Sequence, residues 1–188
     1  MRDLVGICGT PGTGKKTTAP IVAKLLGLPE PISVNALAPK GQVYVVPARL
    51  RTSLLKMKPA RAVVFGHLIP HVLKRSEVAM VAVLRCEPSV LKARLLERGY
   101  QPGKATENVE AELIGVVLDE CLRAFGSERV REYDTTSTPP KAVAKEIAFD
   151  VGRKAKPSPP SWIDWTLDYD SSSKLRSLLA GAEPRGST

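Results

Sequence analysis

The sequence predicts an α/β fold with a parallel sheet at its centre. Short apolar runs bounded by glycine alternate with stretches whose apolar residues recur at helical spacing, the mark of βαβ units. A glycine-rich loop lies directly between the first apolar run and the first helical stretch. The chain has 188 residues, 43% of them hydrophobic and 25% charged, enough to bury a core without disulfides. This composition excludes a wholly disordered chain, and no apolar run reaches the length of a membrane span.

Leu4 to Cys8 reads as a strand, and TTAPIVAKLLG as a helix closed by Gly27, with Pro20 tolerable only in the first turns. Pro29 to Lys40 shows no clear periodicity, and Gln42 to Val46 reads as a short strand or irregular chain. Leu50 to Lys56 is helical and is stopped by Pro59. Ala62 to Phe65 is a second buried strand, and Val78 to Leu84 (VAMVAVL) a third. Pro88 to Arg98 alternates apolar and basic residues as a helix, with Ser89 near its start. Glu107 to Phe125 reads as one long amphipathic helix ended by Gly126. Arg129 to Tyr133 is a last short strand, and Pro139 to Val151 a last core helix. At Lys154 the composition changes: KAKPSPPS reads as an extended linker, followed by a tail with a short helix around Ser173 to Ala180.

The net charge of +9 should attract polyanions; nucleotides, RNA and acidic protein tails all qualify. Cys8, Cys86 and Cys121 are scattered, with no C-x-x-C and no spacing suited to zinc. The N-terminus has an acid at Asp3 and reaches glycine too early for a signal peptide. Together these features read as cytoplasmic, with no membrane partner.

GTPGTGK, Gly9 to Lys15, fits G-x-x-x-x-G-K in the strand–loop–helix context that the motif needs. Glycines let successive N–H groups curl towards phosphate oxygens, the helix N-terminus adds positive potential, and Lys15 can reach the terminal phosphates. The motif next requires Ser or Thr, whose hydroxyl ligates Mg²⁺. This chain has Lys16 there, with Thr17 and Thr18 following, and one helical step turns a side chain by about 100°. Either Lys16 rotates outward and metal affinity is lost, or its ammonium takes the place of magnesium.

GTPGTGK, VVFGHL at Val63, VLRCEPSVLKARLLERGY from Val83 to Tyr100, ENVEAELIGVVLDE from Glu107 and YDTTS at Tyr133 share order and spacing with one family. The chain resembles the atypical adenylate kinases linked to small-ribosomal-subunit assembly, which comprise archaeal proteins and nuclear eukaryotic relatives. The resemblance runs to about residue 150. It implies a three-layer P-loop fold of the nucleoside-monophosphate-kinase type over residues 1–153. A monophosphate-binding region would cover 30–53 and a short lid 98–108, with linker and tail in 154–188.

By position, the resemblance puts Gly9, Thr10, Pro11, Gly12, Thr13, Gly14, Lys15, Lys16, Thr17 and Thr18 at the ATP phosphates, with Arg98 closing over them. Arginine suits that role as a permanent cation with a planar fork. Thr136, in the Asp134–Ser137 turn, would help form the adenine pocket. His67 matches a histidine tied to nucleotide hydrolysis in the family, and a residue just after a strand end faces the crevice of an open α/β sheet. Catalysis would therefore rest on Lys15, His67 and Arg98. The family's acid before that histidine is missing, since Phe65 and Gly66 stand there, and residues 31–53 contain no acid.

The implied activity is ATP + AMP giving two ADP, with broad monophosphate tolerance and a role near a ribosomal protein or rRNA. The alternatives are a catalytically weak nucleotide-binding scaffold or sensor, and a kinase of another small metabolite. Glu107, Glu110 and Glu112 read as solvated or partner-facing. His71 reads as structural or exposed, and Trp162 and Trp165 as pins for the tail rather than platforms for RNA bases.

Overall fold

The structure, a computed structural model, describes residues 3–38, 46–153 and 162–180. Gln42 to Val45 and the linker KAKPSPPS lie outside these residues. The elements run β1 (Asp3–Cys8), α1 (Lys15–Leu25), β2 (Ile32–Ser33), α2 (Pro47–Lys56), β3 (Arg61–Phe65), α3 (Ile69–Val72) and β4 (Val78–Arg85). They continue with α4 (Pro88–Glu97), α5 (Pro102–Leu113), α6 (Val116–Phe125), β5 (Val130–Asp134), α7 (Pro140–Arg153) and α8 (Ser172–Leu179). A 3₁₀ turn at Trp165–Tyr169 precedes α8.

The five strands form one sheet in the order β2-β3-β1-β4-β5, with every pairing parallel. Both faces are covered, so β1 is buried without alternation from Leu4 to Cys8. Leu4 and Cys8 face a core shared with Leu118, Cys121 and Phe125 of α6, while Val5 and Ile7 face Ala19 and Val22 of α1 and Ile147 of α7. Cys8 and Cys121 lie in the first layer, where the Cys8 thiol donates to the His67 carbonyl at 3.7 Å, and all three cysteines are free and buried. Among the described residues, no helix is long and apolar enough to cross a membrane.

Three expectations need adjustment. The stretch Glu107 to Phe125 is two helices, and the first begins five residues earlier, at Pro102. Gly115 breaks the run at φ 69°, a left-handed conformation that glycine adopts without steric cost. Apolar periodicity continues across the break because both helices bury a face, which hid the boundary. Ile32–Ser33 pairs with Val64 and Phe65 as an edge strand, too short to show alternation. Pro20 is the sixth residue of α1, past the first turn, and leaves the Lys16 carbonyl without its helical donor. At α4 Ser89 is the second residue, as read, and the N-cap is Glu87, whose carboxylate accepts from Val90 N–H at 2.9 Å.

Candidate functional site

β1 lies between β3 and β4, so the loop after β1 and the turn after β3 emerge side by side at the carboxyl edge of the sheet. Open α/β sheets bind ligands at such an edge. The loop closes tightly onto α1: Thr17 and Thr18 N–H both donate to the Gly14 carbonyl at 3.0 Å. Gly12 has φ 97°, and a Cβ there would stand 2.5 Å from Leu91 Cδ1 and 3.1 Å from Leu95 Cδ2. Only glycine lets the loop seat on α4 this closely.

Lys15 folds back along the loop, its Nζ donating to the carbonyls of Gly9 at 2.6 Å and Thr10 at 2.8 Å. Burial lowers its pKa to about 8; the nearby Cys8 and Glu112 oppose that shift, and Arg98 adds to it. The ammonium is thereby held at the N-terminal end of α1, where anions are favoured.

A cleft of about 570 Å³ opens beside this loop, within the range of small-ligand sites. Pro11, Gly12, Gly14, Lys15 and Lys16 form one wall, with Phe65, Gly66 and His67 after β3 adjoining it. Ser33, Asn35 and Ala36 close a second side, and Tyr100 a third. Burial and the positive charge of Lys15 push the His67 pKa below the ordinary histidine value, so its ring is neutral at neutral pH. His71 stands on the surface, 3.3 Å from Glu120.

Gly9, Thr10, Thr13, Thr17, Thr18, Arg98 and Thr136 do not line the cleft. Thr10, Thr13 and Thr18 are buried, while Thr17 and Arg98 are exposed. The Thr13 hydroxyl donates to the Thr10 carbonyl at 2.9 Å, and the Thr13 carbonyl lies 3.1 Å from the Thr135 hydroxyl. Thr136 accepts from Glu87 N–H at 2.9 Å, and its carbonyl accepts from Arg94 at 2.8 Å, so its turn ties β5 to α4. Residues 98–101 form a turn, and 102–108 are the first two turns of α5.

Glu112 overturns its sequence reading. It is 2% exposed and faces the phosphate loop, because the side of α5 carrying Ala105, Val109 and Glu112 packs inward. Ser33, Asn35 and Tyr100 are further cleft residues that spacing did not single out. Tyr100 had a signal of sorts, an aromatic directly after Gly99 at the end of a helix. Trp165, 9% exposed among Leu91, Leu95 and Val109, pins the tail as expected.

A family model described as "AAA domain" matches residues 5–115. The chain is 35% identical over 163 residues to a protein of Natronomonas pharaonis named "Putative adenylate kinase", spanning 82% of this chain and 93% of that one. It is 38% identical over 173 residues to the protein of the same name from Methanothermobacter thermautotrophicus, spanning 87% and 97%. Among solved structures, YorR from Bacillus subtilis, in complex with phosphorylated GDP, superposes with TM-score 0.57 at 21% identity, over 79% of this chain and 95% of that one. A gluconokinase from Sinorhizobium meliloti superposes at 0.50 with 18% identity, over 91% and 99%. At such identities the likeness is one of fold alone.

Proposed function

Because this chain belongs to the same family as the archaeal proteins named "Putative adenylate kinase", we propose that it is a nucleotide-binding phosphotransferase of the P-loop kinase type. ATP would be the phosphate donor and AMP, or another nucleoside monophosphate, the acceptor. One observation supports this most: Lys15, the open face of the Gly9–Gly14 loop and a neutral His67 all border one cleft.

In this reading the N–H groups of the loop and the N-terminus of α1 hold the phosphates. Lys15 leaves the Gly9 and Thr10 carbonyls to meet the terminal phosphates, exchanging neutral acceptors for charged ones. Arg98, exposed at the end of α4, swings over them as a permanent cation. His67, uncharged, donates its ring N–H to the acceptor phosphate, whose oxygen attacks, or in hydrolysis accepts a hydrogen bond from the attacking water. Ser33 and Asn35 offer polar contacts to the acceptor.

The residues present do not fit a magnesium site. Lys16 lines the cleft where the motif has its hydroxyl, and Phe65 and Gly66 replace the acid. None of the described cleft residues is a carboxylate, and Glu87 is occupied with Ser89, Val90 N–H and Tyr169. The same donor set favours a second reading, a nucleotide-binding scaffold or sensor with weak turnover, in which Lys16 supplies the charge that the metal would. A link to small-ribosomal-subunit maturation, through a ribosomal protein or rRNA, belongs to the proposal. The net charge of +9 favours the rRNA contact over one to a basic ribosomal protein.

ADP formation from ATP and AMP, with and without Mg²⁺, beside a Lys16→Thr variant, tests these readings. Magnesium-dependent turnover by wild type upholds the kinase. Turnover gained only by the variant, with ATP bound equally by wild type in EDTA, upholds the scaffold. If neither protein binds ATP or forms ADP, both readings fall.

A further inference from the structure

Beneath the phosphate loop lies a buried chain of charged groups for which the phosphotransferase reading has no role. Glu112, 2% exposed, accepts from the Thr10 hydroxyl at 2.5 Å, from Arg85 Nε at 2.7 Å and from Cys86 N–H at 3.0 Å. Arg85 is equally buried; its Nη2 donates to the Glu112 carbonyl at 3.0 Å, and its Nη1 donates to Glu132 and to the Ile163 carbonyl at 3.2 Å. Glu132 in turn accepts from Ile163 N–H at 2.9 Å. One guanidinium thus links the loop, through Thr10 and Glu112, to both peptide groups of a residue in the C-terminal segment.

A second, apolar route joins the same two places. Trp165 and Leu178 pack with Leu91 and Leu95, the two α4 side chains on which Gly12 of the loop is seated. Two carboxylates and one guanidinium are costly to bury, and apolar residues of similar size would stabilise the fold as well. Such networks contribute by fixing one geometry, and here the group fixed at one end is the loop. The Thr10 hydroxyl faces away from the cleft, so it can affect a bound phosphate only through the loop's shape.

We infer that Glu112 and Arg85 are positioning residues that hold the phosphate loop in its binding shape, and that the docked segment Ile163 to Leu179 is part of the same device, so that its release loosens the loop. This rests on the reading of the loop as a phosphate site. The segment follows residues 154–161 in the chain and is linked to the loop by two indirect routes, one polar through Arg85 and Glu112 and one apolar through Leu91 and Leu95. A partner that drew the segment away would lower nucleotide affinity without touching the cleft.

The test uses the full chain with Thr10→Val, Thr10→Ser, Glu112→Gln and Trp165→Ala, the last being a residue with no place in the cleft. Two quantities are read: ATP affinity by calorimetry, and hydrogen exchange of the loop amides in nucleotide-free protein. Thr10→Val should weaken ATP about tenfold, as expected for one lost charge-assisted bond, and should speed exchange of the loop amides. Thr10→Ser, which keeps the hydroxyl, should match wild type. Thr10→Val combined with Glu112→Gln should cost no more than the worse single change, because both break one path. Trp165→Ala should speed exchange in the tail and in the loop together, and weaken ATP binding several-fold.

Faster exchange confined to the tail, with loop exchange and ATP affinity unchanged, overturns the coupling. A Thr10→Val protein identical to wild type overturns the positioning role, and this arm stands even where Glu112→Gln does not fold. Loop exchange that responds to the variants in a wild type that binds no ATP leaves the inference standing and removes the phosphate-site reading instead.

Discussion

Lys15 keeps a positive charge where burial opposes it. Its amine pKa is depressed to about 8, and only the ammonium can pair with phosphate. ATP affinity should therefore be steady below about pH 7 and fall as pH rises through 8, whereas an unburied lysine would hold its charge to about pH 10. Calorimetric titrations across pH 6.5 to 9.5 read this directly, and a flat profile would show that Lys15 is not the phosphate cation. At this scale the sequence was informative about Lys15, through the G-x-x-x-x-G-K motif, and about His67, which follows the end of a strand that opens on the crevice of the sheet. It was silent about Glu112. Three glutamates along one helix look solvated, and the one that is buried is known only from Arg85, at the end of a strand 27 residues earlier.

The break between α5 and α6 turns on one glycine. Gly115 sits at φ 69° with room for a side chain: an added Cβ would stand 3.9 Å from Arg85 Nη2, an ordinary contact. Gly115→Ala meets no clash, only left-handed backbone strain, and should cost about 1–2 kcal/mol. Denaturant unfolding should show a lower midpoint with an unchanged slope, and Gly115→Asn should cost less. An alanine variant as stable as wild type would mean that the two helices can merge. Gly115 was visible in the sequence, but apolar periodicity on both sides outweighed it. The strand Ile32–Ser33 carried no visible signal, since two residues cannot alternate and their pairing depends on Val64 and Phe65 more than 30 positions away.

Across the whole molecule, stability rests on two apolar layers that enclose the sheet. Phe125, fully buried where α6 meets the first layer, is the largest apolar side chain sealed in the core. Phe125→Ala should lower stability by about 3–5 kcal/mol, read as a fall in the urea midpoint. The amino-acid sequence alone determined that the fold is α/β, that a phosphate loop lies between the first strand and helix, and that Lys16 stands where the motif has Ser or Thr. These features are local, set by the period of apolar residues and by the residue types within eight consecutive positions. The tertiary structure alone decided that Glu112 accepts from Thr10 of the loop, that Asn35 and Tyr100 border the cleft, and that the C-terminal segment docks against α4 and Arg85. Those facts depend on residues tens of positions apart sharing one buried volume, where an unpaired charge is costly and only the assembled fold supplies its partner.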